Sequence, residues 1–188
     1  MRFFQPDPGP RPQGERVYLR LPRLGDHAAW AGLRQQSRGF LEPWEPTWPQ
    51  DDVSRPAFRA RLAAYSRELE TGEAFPFFVF RRHDDALVGG LRLFNIRRGV
   101  AQSGTIGYWI GAPYARLGYM ADAIRSVVDF AFNDLKLHRL EAACMPTNGP
   151  SAALLLKSGF AEEGYAHAYL KINGEWRDHR LFGMVAPG

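Results

Sequence analysis

The stretch from residue 104 to residue 135 constrains the fold most, because a short loop in it joins a strand to a long amphipathic helix. The strand is GTIGYWI, residues 104–110, and the predicted helix begins at Gly118. Its apolar residues recur at helical spacing and form one continuous stripe: Met120, Ala123, Ile124, Val127, Val128, Ala131, Phe132 and Leu135. Such a stripe must be buried against another layer, which here is a sheet that contains the preceding strand.

Alternating or continuous apolar runs predict six further strands, at residues 16–21, 75–80, 87–94, 140–145, 164–172 and 175–185. The strands between residues 75 and 110 are predicted to form an antiparallel meander. Asn173-Gly174 predicts a tight hairpin between the last two strands. Three further helices are predicted, at 26–36 after an Asp26 cap, at 54–72 from Ser54 to Gly72, and at 151–158.

Prolines interrupt the chain at two places. Residues 1–14 form a Pro-rich leader that we expect to be flexible, and residues 15–188 form the single domain. The segment FLEPWEPTWP, residues 40–49, has three prolines and two tryptophans, and we expect neither helix nor strand there. Trp44 and Trp48 either cover the core under this loop or serve the site; a proline-rich loop with exposed acids favours the second.

Composition excludes several classes of protein. The 188 residues carry a net charge of +4, and interleaved acidic residues leave no basic stripe for nucleic acid. The single cysteine, Cys144, forms no internal disulfide, and neither metal-ligand spacing nor a membrane-spanning run occurs. The N-terminus lacks a signal-peptide core, so we expect a cytoplasmic protein without a metal. Cys144 lies between apolar neighbours and is interpreted as a buried strand residue.

The loop GAPYARLGYM, residues 111–120, has the features of an anion site. It delivers backbone N–H groups and the positive end of a helix to one point, where a pyrophosphate would fit. Gly118 lets the backbone approach a phosphate closely, and Arg116 adds a full charge. The alternative is that Gly118 only relieves a tight turn.

A second loop, PTNGPS at residues 146–151, leaves a strand and enters a helix. Asn148 is predicted to cap that helix and Ser151 to lie in its first turn. A helix start beside a strand end is also where small ligands bind in α/β sheets, so capping does not exclude a ligand contact.

The segments IGYWIGAPYARLGYMADA, HRLEAACMPTNGPSAALLLKSGFAEEGY and NGEWRDHRLF together resemble the GNAT superfamily of acetyl-CoA-dependent N-acetyltransferases. Within it the chain is most similar to the RimJ/RimL group, which acetylates N-terminal alanines of ribosomal proteins, and FLEPWEP resembles the RimJ branch. The likeness runs from about residue 16 to residue 185. It implies an α/β (α+β) fold with a twisted, mostly antiparallel seven-stranded sheet, splayed near the middle, and about four helices.

The resemblance also implies a set of coenzyme-binding residues. The pyrophosphate loop of the family maps onto residues 115–120, where Gly118 matches, and Ala115 and Met120 depart from the pattern. The backbone of Trp109 and Ile110 would run alongside the pantetheine arm. The implied acetyl-CoA site therefore comprises Trp109, Ile110, Ala115, Arg116, Leu117, Gly118, Tyr119, Met120, Asn148 and Ser151.

The implied reaction is attack of a neutral amine on a thioester, with one proton removed from the amine and one delivered to sulfur. Ser151 matches the serine proposed as the acid in this branch, and Tyr165 is its rival. Many relatives carry a Glu on the strand before the loop, but residues 103–106 contain none. The base is therefore sought among Glu42, Glu45, Asp178 and His179. The substrate-binding residues are expected to be Glu42, Trp44, Glu45, Asp178 and His179.

Alternatives remain at two levels. The acceptor is expected to be a protein N-terminus, in particular a ribosomal protein with N-terminal alanine. A small amine such as an antibiotic, polyamine or amino acid is the alternative, and a catalytically silent CoA-binding sensor is another.

A two-residue turn at Asn173-Gly174 places His179 opposite Ala168 and Asp178 opposite Tyr169, so both also fit a structural role. Monomer and homodimer are both open.

Overall fold

A computed structural model describes residues 9–187. One sheet with the strand order β1-β2-β3-β4-β5-β7-β6 organises this part of the chain. Its strands are β1 (Val17–Arg20), β2 (Phe75–Arg81), β3 (Leu87–Arg97), β4 (Ser103–Ile110), β5 (Arg139–Cys144), β6 (Ala161–Ile172) and β7 (Glu175–Val185). The α-helices of the described residues are α1 (His27–Gln36), α2 (Arg38–Leu41), α3 (Arg55–Glu70), α4 (Tyr119–Asp129) and α5 (Gly149–Lys157). The seven predicted strands and the α/β class are confirmed, with five helices rather than four.

The sheet is mostly antiparallel, and its one parallel contact divides it. β2, β3 and β4 form the predicted meander. β4 and β5 pair in parallel at only three positions, of which Thr105 opposite Glu141 is the last. Beyond that pair the strands separate, which confirms the splay. We call β1 to β4 with α4 the first arm, and β5, β7 and β6 with α5 the second arm.

Each face of the sheet is covered by its own apolar cluster. α4 and α5 cover one face, called here the α4 face, with Ile124, Val127 and Leu155 in its core. α1 and α3 cover the other, the α3 face, around Trp30 and Phe58. Strand β2 contributes to both clusters with successive residues, Phe77 and Val79 to the first and Phe78 and Phe80 to the second. This double burial explains its uninterrupted apolar sequence.

Several local expectations need correction. Residues 40–49 are not free of helix, because α2 ends at Leu41 and a single 3₁₀ turn covers Glu42–Trp44. Asp26 precedes α1 as predicted, yet its carboxylate accepts from the Arg23 backbone N–H and from the Arg20 guanidinium instead of capping α1. The stripe that predicted a helix to residue 135 continues past α4 as a π-helical turn, Phe130–Asp134.

Part of the proline-rich leader lies outside the described residues, namely 1–8. In the described part, the carbonyl oxygen of Pro12 accepts a hydrogen bond from the Leu19 N–H at 2.9 Å. The Gly14 N–H donates to the Val17 carbonyl oxygen, also at 2.9 Å. Residues 12–14 therefore lie against the first strand.

Candidate active site

The loop after β4 ends in a helix start that no side chain caps. A 3₁₀ turn at Ala112–Tyr114 is followed by two residues with left-handed backbone, Arg116 at φ 61° and Gly118 at φ 83°. Gly118 is the N-cap residue of α4, and its position carries no side-chain hydrogen bond to the helix. Among residues 9–187, no side chain accepts a hydrogen bond from the first N–H groups of α4, which is the arrangement that binds anions at helix ends.

A buried carboxylate in the first turn of α4 fixes this loop to the first strand. Asp122, 3% exposed, accepts backbone N–H groups from Arg16 at 2.8 Å and Val17 at 3.1 Å. The Arg16 guanidinium in turn donates to the carbonyl oxygen of Leu117 at 2.7 Å. Because the Asp122 carboxylate is held by β1, it does not cap α4 itself. The loop is therefore held in place while its helix end stays open.

Beside this loop, the edge of β4 that faces β5 has no strand partner beyond Thr105. β4 pairs with β3 up to Ile110, but with β5 only as far as Thr105. The polar backbone groups of residues 106–110 that face the second arm therefore lack a ladder. Trp109 and Ile110 border this gap. Their side chains lie on opposite faces, with Ile110 against the larger cluster and Trp109 against the smaller one.

Across the gap, the second arm presents Ser151. Asn148 caps α5 as predicted, since its Oδ1 accepts the Ser151 N–H at 3.1 Å. The hydroxyl oxygens of Ser151 and Tyr108 lie 2.8 Å apart and share a hydrogen bond that joins the two arms. Burial raises the pKa of the Tyr108 phenol above its ordinary value, so it is neutral.

Sequence reasoning missed Tyr108. The signal was present, because Ile106, Tyr108 and Ile110 alternate on one face of β4. Cys144 is buried at the end of β5 as expected, and burial raises the pKa of its thiol, which keeps it protonated and unreactive.

Glu45 lies in a different environment from the one expected. Its carboxylate accepts two hydrogen bonds from the buried Arg34 guanidinium, both at 2.7 Å, and one from the Trp48 indole at 2.7 Å. The Glu45 carbonyl oxygen also accepts the N–H of Asn173 at 2.9 Å. Glu45 therefore ties the loop to α1, which packs against β2 and β3 of the first arm, and to the β6–β7 turn of the second arm.

This engagement argues against Glu45 as a free base. Three hydrogen bonds, two from Arg34 and one from Trp48, occupy both of its carboxylate oxygens. Glu42 differs, because it forms a half-exposed ion pair with Arg38 one helical turn earlier. Trp44 is half-buried in the same 3₁₀ turn.

The predicted register of the β6–β7 hairpin holds near the turn and fails beyond it. Leu170 pairs with Arg177 as the two-residue turn requires, but a bulge follows, and His179 pairs with Ala166 instead of Ala168. Ala168 takes a left-handed φ of 46°, and its N–H donates to Asp178 at 2.8 Å. A bulge of this kind leaves no signal in the apolar pattern.

Three predicted site residues lie on this hairpin, namely Tyr165, Asp178 and His179. The Tyr165 hydroxyl donates to the Asp178 carboxylate at 2.9 Å. The bonds from the Ala168 N–H and from Tyr165 lower the pKa of Asp178, and the same contact raises the pKa of Tyr165. His179 is buried, with Nδ1 3.0 Å from the Arg177 carbonyl oxygen. In the part of the chain that the structure describes, neither Tyr165 nor His179 forms a hydrogen bond with Ser151.

Comparison with known proteins identifies the family to which this chain belongs. A family model described as an acetyltransferase (GNAT) domain matches residues 16–161. The chain belongs to the GNAT acetyltransferase family. It is therefore an acetyl-CoA-dependent N-acetyltransferase by family.

Two curated relatives match almost the whole chain. It is 38% identical over 175 residues to a probable N-acetyltransferase of Bacillus subtilis, YjcK, covering 93% of this chain and 97% of the relative. It is 33% identical over 175 residues to the [ribosomal protein uS5]-alanine N-acetyltransferase of Escherichia coli, covering 92% and 89%. These likenesses confirm the RimJ/RimL-type resemblance.

Solved structures agree with this family membership. The RimJ protein of Mycobacterium smegmatis, in complex with CoA-disulfide, superposes with a TM-score of 0.86 at 35% identity, covering 94% of this chain and 84% of the other. A ribosomal-protein-S5-alanine acetyltransferase from Vibrio fischeri gives the same TM-score at 31% identity, covering 94% and 96%. The GNAT fold is thereby confirmed.

In this GNAT domain, the residues expected to hold coenzyme gather around one gap. The loop of residues 115–120 and the Trp109-Ile110 backbone come from the first arm, and Asn148 and Ser151 come from the second. Uncapped N–H groups suit phosphates, and the unpaired strand edge suits an amide-bearing arm, so the residues present fit acetyl-CoA. Among residues 9–187, no helix is long and apolar enough to cross a membrane, and no cluster of metal-ligating side chains occurs.

Proposed function

We propose that this GNAT enzyme transfers acetyl from acetyl-CoA to the N-terminal α-amine of a protein, in particular a ribosomal protein with N-terminal alanine. The open N-terminus of α4 beside the unpaired edge of β4 is the observation that carries the coenzyme half of this proposal. The acceptor half is supported by the uS5-alanine N-acetyltransferase, which matches 92% of the chain.

The first arm has the task of holding the coenzyme. The N–H groups at the start of α4 would bind the pyrophosphate, and Arg116, exposed on the loop, would add positive charge. The backbone beyond Thr105 would align the pantetheine arm. An N–H near Ile110 would stabilise negative charge on the acyl oxygen. Acetyl-CoA itself supplies an activated acyl group as a thioester.

The second arm has the task of moving a proton. Ser151 Oγ would donate to the departing sulfur, and the neutral Tyr108 hydroxyl would orient Ser151 through their 2.8 Å hydrogen bond. The amine needs little help, because an α-amine with a pKa of about 7.7–8.0 is roughly one-tenth neutral at pH 7. Glu45 would then serve to hold the loop, as its bonds to Arg34 and Trp48 suggest.

A direct assay tests the proposal. The protein is incubated with acetyl-CoA and a library of peptides with free N-termini, and products are identified by mass spectrometry, with a panel of small amines in parallel. We expect acetylated α-amines, with alanine N-termini preferred. Acetylation of small amines alone would contradict the acceptor, and no turnover despite CoA binding would indicate a silent sensor.

A further inference from the structure

A charged cleft of about 530 Å³ opens on the α3 face of the sheet. It lies between the end of α3, strands β3 to β5, and Tyr169 from β6, which lies over it from the second arm. The cleft reaches Thr105 and Glu141, the last pair before the sheet splays. It therefore begins where the gap between the arms begins, on the face opposite to α4 and α5.

An ion pair between Arg92 and Glu68 forms part of the cleft wall. The Arg92 guanidinium donates to Glu68 Oε1 at 2.6 Å, but Glu68 Oε2 and Arg92 Nε are buried without a hydrogen bond. Arg92 pairs in register with Gly107, which belongs to the open stretch of β4. Protein atoms cover both Glu68 Oε2 and Arg92 Nε, so they do not reach an occupant of the cleft, and the Arg92–Glu68 ion pair serves to fix the cleft wall beside this open stretch.

The charges of the cleft indicate the sign of that ligand. Three carboxylates line it, Glu68, Glu73 and Glu141, against the two guanidinium groups of Arg92 and Arg97. Arg92 pairs with Glu68, and Glu141 pairs with both Arg97 and Arg139, whereas Glu73 has no cation within 4.0 Å among residues 9–187. The unbalanced carboxylate favours an occupant with positive charge.

We propose that this cleft binds the stretch of acceptor polypeptide that follows the acetylated residue, and that Glu73 selects a basic side chain in it. The proposal rests on the function proposed above and names its substrate more closely. Glu73 lies beside Ile96, whose N–H donates to its carbonyl oxygen. Ile96 is four residues along β3 from Arg92, at most roughly 13 Å because Asn95 takes a left-handed φ of 51°, which corresponds to up to about four residues of extended acceptor. The basic side chain is therefore expected at about the third to fifth position.

Peptides that differ at one position test the selection. Two hexapeptides with N-terminal alanine carry either Lys or Gln at position four, and an alanine dipeptide amide serves as the short acceptor. For the wild-type enzyme we expect kcat/KM for the Lys peptide to exceed that for the Gln peptide about tenfold at low salt. The preference should shrink at high salt, because screening weakens a partly exposed charge contact.

Variants then assign the preference to Glu73. Glu73→Gln should reduce the Lys-over-Gln ratio to near one, and Glu73→Lys should invert it toward a peptide with Glu at position four. Glu70→Gln, on the same helix end but outside the cleft, is the matched control and should keep the wild-type ratio. Inversion by charge reversal is a readout that a merely structural role would not produce.

The two proposals fail in different ways. If the wild-type enzyme acetylates the peptides but shows no Lys preference, or if Glu73→Gln retains it, the cleft proposal is overturned while N-terminal acetylation stands. If hexapeptides react no better than the dipeptide amide, the cleft binds no acceptor. If no peptide is acetylated at all, the proposed function falls and the cleft proposal falls with it.

Discussion

The two arms of the splayed sheet each end in a strand followed by a helix, and they treat the start of that helix differently. On the first arm α4 begins at Gly118 without a side-chain cap, while on the second arm α5 begins at Asn148, whose own amide oxygen caps it. Since β4 and β5 are parallel, both helix starts lie at the same end of the sheet. The difference separates an open anion site from a closed turn that carries Ser151.

The uncapped N-terminus of α4 is stabilised by contacts with β1. An absent cap costs a helix about 1 kcal/mol, and the loop before α4 also contains two residues with left-handed backbone. Asp122 offsets this by accepting the N–H groups of Arg16 and Val17, so that β1 holds the first turn of α4. The first arm thus obtains a fixed helix start without closing it.

The largest expected effect comes from blocking the open N-terminus of α4 on the first arm. Gly118→Asp places a carboxylate where we propose the pyrophosphate binds, and it can also cap α4. At a hundredfold excess over Kd, CoA should stabilise the wild-type protein by about 2.7 kcal/mol, seen as a rise in Tm. The variant should show no rise.

Gly118→Ala is the control, because it adds backbone strain at φ 83° without the charge. It should bind CoA more weakly than wild type yet keep a measurable rise in Tm. An undiminished rise in the Asp variant would show that coenzyme does not bind at this helix end.

The next effect lies on the second arm. If Ser151 protonates the departing sulfur, Ser151→Ala should lower kcat by about 10²–10³ with little change in KM. Steady-state kinetics with an N-terminal alanine peptide measure both. Tyr108→Phe keeps Ser151 but removes its hydrogen-bond partner, so its kcat should fall less. A loss below about threefold in the Ser151 variant would transfer the role to Tyr165 or to water.

The third effect concerns the connection between the arms. Glu45→Gln removes the 2.7 Å ion pair of the buried Arg34 and leaves it only the Asp52 carboxylate, 3.7 Å away, so we expect a loss of about 2–3 kcal/mol in the free energy of unfolding. Urea denaturation measures it. Glu42→Gln removes an exposed pair with Arg38 and should cost only about 0.3–0.5 kcal/mol. Equal, small losses would mean that Glu45 does not hold the arms together.

The elements of both arms could be predicted from sequence, but the contacts between them could not. The stripe of α4, the Asn148 cap and the Asn173-Gly174 turn all depend on residues within a few positions of each other. The hydrogen bonds of Asp122 with Arg16 and of Glu45 with Arg34 join different segments of the chain. No local sequence pattern shows which residues of two such segments will pair. The sequence therefore did not predict that the Glu45 carboxylate is bound by Arg34 and Trp48.

The cap of the second arm allows a smaller, purely local test. Asn148→Ala removes the oxygen that accepts the Ser151 N–H, and we expect a loss of about 1 kcal/mol in the free energy of unfolding. Asn148→Asp should retain most of the stability, since aspartate caps equally well. Urea midpoints of the three proteins measure the effect. Equal urea midpoints for Asn148→Ala and wild type would mean that the Asn148 cap does not stabilise α5, so that the two helix starts do not differ in this respect.

The smallest expected effect is at the tip of the second arm and depends on pH. The Ala168 N–H and the Tyr165 hydroxyl lower the pKa of Asp178 in the folded protein. A lowered pKa stabilises the fold fully above the ordinary aspartate pKa of about 3.9, and this contribution is lost as pH falls through the lower, folded value. Asp178→Asn should therefore be slightly less stable than wild type at pH 7, and the two should converge toward pH 2. Urea midpoints across that range measure the difference. A difference independent of pH would mean that the bulge is held by its backbone alone, and that the carboxylate contributes nothing to the second arm.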